Sequence, residues 1–489
     1  MTTTTEPPVQ TIVHDTHSAA SRREITRRRD PAVEIKIAYI GGGSRQWAIG
    51  LMSDLALADR LTGTLALYDI DIAAAEYNVQ LSREIFTHPE ANTSFHVRTE
   101  RKLADALRGA DFVVISIEPG PTSLRYADLE IPARYGVLQT VGDTTGPGGL
   151  VRALRSVPLF REFARAIMEH CPQAWVINYT NPMALCTAAL FAEAPGIKAF
   201  GCCHEVFGTQ KMIAKLVADW FDVEAPARES IQLDIAGVNH FTWATGASWE
   251  GHDLMPRLRE HIQGADFFRS RRPEADAAQA RQAWFDSQHL VAFDLLRRFG
   301  ALGAAGDRHL VEFLPGYLTS EAELHRWGVI ATPYAWRLER SKQPARALGS
   351  YAGQALQPTG EEGVQQMEAL LGLRPLVTNV NLPNAGQMPG LPHGLIVETY
   401  AEFRRDGIRP VLGAELPLGA AGHVHRAADE QALTLAAALE KDLDLAFQAL
   451  ISHPLVHHLP LDTAHQMLRE MTQSIGEHFP ESGLLNYRG

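Results

Sequence analysis

The stretch VEIKIAYIGGGSRQW, residues 33–47, does most to limit what this chain can fold into. A β-branched, alternating run reads as a buried strand. Glycines follow it at once, and then the helical pattern WAIGLMSDLALADRL. Strand, glycine turn and helix open a βαβ unit. Gly41, Gly42, Gly43 and Ser44 would let the backbone close around a pyrophosphate at a helix N-terminus. The next strand, GTLALYDID, ends in Asp69 and Asp71. An acidic residue there accepts hydrogen bonds from ribose hydroxyls and disfavours a 2′-phosphate. The strict G-x-G-x-x-G pattern is broken at Gln46, so a simple turn is the competing reading.

More strands support an α/β fold. ADFVVISI (110–117) and AWVINYTNP (174–182) each follow a helical stretch, as a doubly wound sheet requires. Ligands bind at the carboxyl ends of such strands. Between these two lies a glycine-rich loop with Gln139, Asp143, Thr144 and Thr145, a candidate substrate loop. Asn178 and Asn181 sit at a strand end. They could cap a helix, or hydrogen-bond a sugar or the nicotinamide ribose.

The segment FGCCHEVFG (200–208) places Cys202 and Cys203 beside His204 and Glu205. Adjacent cysteines rarely bridge each other. With four cysteines in 489 residues, metal or thiol chemistry in a reducing compartment outweighs a disulfide scaffold. IAGVNHFTWAT (235–245) reads as one strand carrying Asn239 and His240. Cys203 with His240 would leave open coordination positions, which suits manganese better than a closed structural zinc.

A net charge of −12, with both signs spread along the chain, argues against nucleic acid as the main partner. No apolar run approaches the roughly 20 residues a membrane helix needs. The polar, arginine-rich residues 1–33 read as a disordered tail without the apolar core of an export signal, so a cytoplasmic location is expected.

KIAYIGGGS, LYDID, INYTNPM, CCHEV, GVNHFTW and NLPNAGQMPGLP occur in the order seen in family 4 glycoside hydrolases. The resemblance spans roughly residues 35–460. It implies a lactate/malate dehydrogenase-like NAD-binding domain (34–205) and a mixed α/β substrate, metal and oligomerisation domain (206–489), assembled as a homodimer or homotetramer. It also implies NAD bound at Gly41–Ser44, Asp69 and Asn178, with Mn2+ or another divalent ion on Cys203 and His240.

The form Cys203-His204-Glu205-Val206 resembles the subgroup acting on α-galacturonides; other forms go with α-galactosides, α-glucuronides or phosphoglycosides. His204 is then expected among the catalytic groups, and Asn181, Glu205 and Asn239 against the substrate. The implied chemistry is hydride removal from C3, loss of the C2 proton with departure of the C1 group, addition of water, and return of the hydride. No net redox change results.

Several members take the C2 proton with a tyrosine, but the matching stretch SQHLVAFDLLRRFG has none, leaving Asp294 as the candidate base. Arg308 and His309 are candidates for a sugar carboxylate. A dehydrogenase of a sugar or hydroxy acid, and a non-catalytic NAD sensor, are the rival readings.

Overall fold

A computed structural model describes residues 32–264, 266–269, 285, 287–344 and 346–476. The expected N-terminal tail therefore lies outside the described residues except at its last two positions.

One mixed sheet organises the molecule. Its first half is six parallel strands: β1 (Val33–Ile40), β2 (Leu61–Tyr68), β3 (Phe95–Glu100), β4 (Phe112–Ile115), β5 (Trp175–Asn178) and β6 (Lys198–Gly201). They run in the order β3-β2-β1-β4-β5-β6, the doubly wound order of a Rossmann-like fold. The second half is antiparallel: β7 (Gln232–Val238), β8 (Phe241–Trp249), β9 (His252–Asp253), β10 (Leu302–Gly303), β11 (Leu376–Pro383), β12 (Ile396–Arg404) and β13 (Gly407–Pro410). β11 pairs with β6 at Asn381 and Gly201, so the halves share one sheet of 13 strands.

Alternate residues of a strand face opposite sides of a sheet. Ile35, Ile37 and Tyr39 of β1 enter one core with the helix Trp47–Leu57. Ala38 and Ile40 enter the other with the helix Gly146–His170. The late helices Leu418–Glu440, Leu443–Ser452 and Leu461–Ile475 pack on this second side. The expected boundary at residue 205 lies just past the last parallel strand, yet the first core is not confined to residues before it. Tyr351, Leu356, Val364, Met367, Val380 and Phe403 all pack there.

One expected element is different. Residues 235–245 are not a single strand but two, β7 and β8, joined by a tight turn at Asn239-His240, with Val238 opposite Phe241. His240 has φ +64°, a conformation costly for a residue with a Cβ. Such strain persists where the surroundings over-determine it, commonly at functional positions.

Candidate active site

The carboxyl ends of the parallel strands gather most of the candidate residues. After β1, the Gly41 and Gly42 amides each donate to the Tyr68 carbonyl at 2.9 Å. Gly41 has φ +98°, and a Cβ there would stand 2.0 Å from the Ser116 carbonyl oxygen. Only glycine fits. The Asn78 amide braces the turn through the carbonyls of Gly42 (2.8 Å) and Ser44 (2.9 Å). Ser44 Oγ accepts from the Trp47 amide at 3.2 Å, so its hydroxyl helps start the helix. Asp69, after β2, accepts from the amides of Gly43 (2.8 Å) and Asp71 (2.9 Å). Burial raises its pKa above the usual carboxylate value.

A second cluster lies across the same edge. Donor atoms of Asp143, His240 and His309 lie within 4.8 Å of one another. The two imidazole rings are 3.7 Å apart, centre to centre. Thr144 Oγ1 donates to Asp143 Oδ1 at 2.8 Å and lies 2.7 Å from His240 Nδ1. Having spent its one proton on Asp143, the hydroxyl accepts from Nδ1–H, and the lone pair of His240 is left on Nε2. The Asn181 amide fixes the other Asp143 oxygen at 3.2 Å.

Burial works to raise the Asp143 pKa, but the charges of His309, His240 and Arg152 outweigh it and hold the carboxyl well below its usual range. Burial, with repulsion from His309, lowers His240 to about 3. One carboxylate and a neutral imidazole with a free lone pair are the protonation states that ligate a divalent cation.

Of the expected metal pair, His240 belongs to this group and Cys203 does not. Cys203 is buried, and burial followed by the charges of Glu398 and Glu205 raises its thiol well above the usual value. Asn239, fully buried, stands beside Cys203 and Glu398.

Glu205 opens the helix Glu205–Phe221. Its Oε2 accepts from the Gly306 amide at 2.6 Å, and its Oε1 lies 3.7 Å from both His204 Nε2 and His309 Nε2. Burial would raise its pKa, but His309, His204 and His240 pull it down to about 2. His204 stacks on Trp47 and meets Glu361 at 3.0 Å. Its crowded surroundings would lower its pKa, but the hydrogen bond to Glu361 and the charge of Glu205 raise it to about 9.

Two expected residues are committed elsewhere. Asn178 is fully buried. Its oxygen accepts from the Thr180 amide at 2.8 Å and its nitrogen donates to Thr187 Oγ1 at 3.1 Å and to the carbonyls of Thr180 and Met183. It shapes the turn after β5, with both ends of its amide engaged within the protein. Asp294 is also fully buried. Its carboxylate pairs with Arg297 and with Arg298 (2.6 Å) and accepts from the Tyr317 hydroxyl at 2.8 Å. It stabilises the helix Leu290–Phe299 and is not presented to the site as a base.

Arg308, next to His309, donates to Thr332 Oγ1 at 2.7 Å. The sequence puts Asp143 in a substrate loop without a metal role and shows Glu312 beside Arg308 and His309 without a role of its own, while nothing in it points to Glu361 or Glu398. Each is an acidic residue in an otherwise ordinary helix, strand or loop, with no local spacing that signals a site.

Comparison with known proteins places these residues in a family. The model for the family 4 glycosyl hydrolases matches residues 36–219, and that for the family 4 C-terminal domain matches residues 235–456. An α-galacturonidase of Bacillus subtilis is 45% identical over 449 residues, covering 90% of this chain and 98% of that protein. The crystal structure of a Bacillus subtilis protein named as a glucosidase superposes with a TM-score of 0.82 at 44% identity, over 90% of this chain and all of the other. A 6-phospho-α-glucosidase from gut microorganisms, solved with NAD and Mn2+, shares the fold at a TM-score of 0.72 and 21% identity, over 92% of this chain and all of the other.

Proposed function

Because the chain belongs to family 4 of the glycosyl hydrolases and is therefore a glycosidase, we propose that it hydrolyses α-galacturonides with NAD and a divalent cation, leaving no net redox change. The observation that carries the substrate is the 45% identity to an α-galacturonidase along nearly the whole chain.

The residues fit both groups. The turn at Gly41 has no room for a side chain and ends at a helix start, which suits a pyrophosphate. Asp143, His240 and His309 offer one carboxylate and two imidazoles to an ion of borderline softness. Cys203 lies beside Asn239 and could complete the set only by losing a proton that burial now retains.

When bound, NAD supplies a hydride acceptor for the sugar C3, and the cation supplies Lewis acidity at the neighbouring oxygens. The chain does the rest. Thr144 and Asn181 hold the Asp143 carboxylate in one orientation. His204, kept protonated by Glu361 and Glu205, can deliver the proton of Nε2 to the departing C1 oxygen. Glu205, ionised and fixed by the Gly306 amide, orients the sugar hydroxyls between His204 and His309. Arg308 is the cation nearest in sequence to His309 that can meet a sugar carboxylate.

The test is a panel of α-glycosides supplied with NAD, Mn2+ and a thiol reductant. Galacturonides should be hydrolysed and neutral galactosides much more slowly, without accumulation of NADH. Reaction in deuterated water should place deuterium at C2 of the released sugar. Equal rates on galacturonide and galactoside would overturn the substrate. NADH formed in proportion to substrate would favour the dehydrogenase reading.

A further inference from the structure

The His204 ring is gripped on one face and one edge. It stacks on Trp47 with ring centres 5.8 Å apart, and its Nδ1 lies 3.0 Å from Glu361 Oε1. Its other nitrogen, Nε2, lies 3.7 Å from Glu205 Oε1. The side chain is nevertheless half exposed, so the ring is held without being closed off.

Glu361 reaches His204 from far along the chain. Residues 357–362 have no helix or strand of their own and lead into the helix Gly363–Leu370. An irregular segment holds a side chain in place only where its backbone is tied down. This one is tied twice. The Thr359 amide donates to Asp54 Oδ1 at 2.8 Å, and the Thr359 hydroxyl donates to Asp54 Oδ2. The same hydroxyl oxygen accepts from the Glu361 amide at 3.0 Å. Arg228 then bridges the two neighbours of Glu361, donating to the Gly360 carbonyl at 3.3 Å and to Glu362 Oε1 at 2.8 Å.

Both anchors sit on elements that already frame His204. Asp54 belongs to the helix Trp47–Leu57, which also supplies Trp47 and follows the glycine turn. A side chain at Gly50 of that helix would come within 2.8 Å of Thr359, so the segment lies directly against it. The Arg228 guanidinium lies 3.8 Å over the ring of Phe207, on the helix Glu205–Phe221 that starts beside His204.

We propose that residues 357–362 form a strap that positions His204 for proton delivery to the leaving group, with Glu361 as the positioning residue and Asp54 and Arg228 as its clamps. This deepens the glycosidase reading above and rests on His204 being the acid there. An acid acts only with its proton in hydrogen-bond reach of the departing oxygen, and a misplacement of about 1 Å can cost roughly 10²-fold. With Glu361 on Nδ1 and Trp47 on the face, the ring is kept from turning over, and Nε2 is the nitrogen left for the substrate.

The test uses the leaving group. Methoxide needs a proton to depart, whereas 4-nitrophenolate leaves without one. The experiment measures kcat and KM of the parent, Glu361→Ala, Glu361→Gln and Thr359→Val on methyl and 4-nitrophenyl α-D-galacturonide, with NAD and Mn2+ present. Glu361→Ala should lose about 10²-fold in kcat on the methyl glycoside and less than about threefold on the nitrophenyl one, with KM little changed. Glu361→Gln keeps an oxygen for Nδ1–H and should recover part of the loss. Thr359→Val loosens the strap and should show a smaller loss with the same leaving-group bias. NADH affinity and melting temperature should stay near those of the parent in all three.

Equal losses on the two glycosides, or no loss, overturn the strap. No recovery in a folded Glu361→Gln protein overturns placement by Glu361, and a Thr359→Val protein without the bias overturns the clamp. A parent that cleaves neither galacturonide overturns the substrate reading alone, and the same comparison then decides the strap on the methyl and nitrophenyl pair of a glycoside it does cleave. A parent that cleaves no glycoside overturns both.

Discussion

Glu312 Oε1 accepts a hydrogen bond from the Thr140 amide at 2.7 Å and lies 3.1 Å from the Thr140 hydroxyl. The same oxygen takes the next two amides, Val141 at 2.7 Å and Gly142 at 3.0 Å. One fully buried carboxylate oxygen thus fastens the loop that carries Asp143 to the short helix Asp307–Phe313 that carries His309. Two candidate cation ligands therefore come from segments joined by a residue outside their group.

Glu312→Ala would leave those amides without an acceptor, at about 1–3 kcal/mol for each buried group orphaned. Mn2+ affinity should fall along with stability, because the loop is freed from the helix. Glu312→Gln keeps one acceptor oxygen and should retain most of both. Manganese titration followed by electron paramagnetic resonance, beside thermal melts, reads the two effects separately. Unchanged Mn2+ affinity in a folded Glu312→Ala protein would refute the link.

Asp143→Asn, His240→Ala and His309→Ala should each weaken Mn2+ binding by tenfold or more and abolish turnover while the protein stays folded. Cys203→Ser separates two possibilities. If the ion draws the thiol in as a thiolate, its affinity drops as sharply as in the histidine variants. If Cys203 only fills the space beside Asn239, the metal titration is unaltered.

Asp69 bears on cofactor choice. Its carboxylate should favour NAD over NADP by repelling a 2′-phosphate. It also anchors the Gly43 amide, so Asp69→Ala should narrow the preference and weaken binding of both cofactors. Fluorescence titration of NADH and NADPH against parent and variant measures both effects. A parent that binds the two equally would show that Asp69 only braces the turn.

The parallel half was legible because its signals are local. β1 occupies the expected residues, and the glycines stand where the chain must turn without a Cβ. The cysteine–histidine motif was legible as a stretch of its own, and Glu205 within it lies against His309. The candidate cation group was not legible, since Asp143, His240 and His309 come from a loop, a hairpin turn and a short helix with no spacing rule to unite them. The alternating pattern of residues 235–245 hid the turn at Asn239-His240 because a positive φ at histidine breaks the rule that assigns such places to glycine. Asp294 misled for the opposite reason. A helical aspartate three and four residues before arginines is the ordinary pattern of an ion pair, which is what it forms.

Glu430 ties the long C-terminal helix to the same loop, accepting from Thr145 Oγ1 at 3.1 Å and the Gly146 amide at 3.3 Å. Burial pushes its pKa up to about 7 from 4.5. The folded state holds this proton more tightly than the unfolded chain, so its contribution is intact below pH 4.5 and is lost as pH rises through about 7. The loss is of order 3 kcal/mol. Buried His453, lowered below its usual value by burial and Arg426, contributes in the opposite direction as pH falls. Comparing Glu430→Gln with the parent by urea unfolding at pH 5 and pH 8 isolates Glu430. The variant should be relatively more stable at pH 8. A difference that does not change with pH would rule out this role.

The late residues in the first core also set a timetable for synthesis. The sixth parallel strand ends at Gly201, but the partners of Ile35, Ile37 and Tyr39 include Tyr351 through Phe403. At ~5–20 residues per second, the roughly 150 residues between them take about 8–30 s to emerge. Through that interval a nascent sheet carries an apolar flank with part of its cover still untranslated. A fragment stopped near residue 205 should expose that flank and aggregate where the whole chain does not, because the chain returns so late to its own beginning.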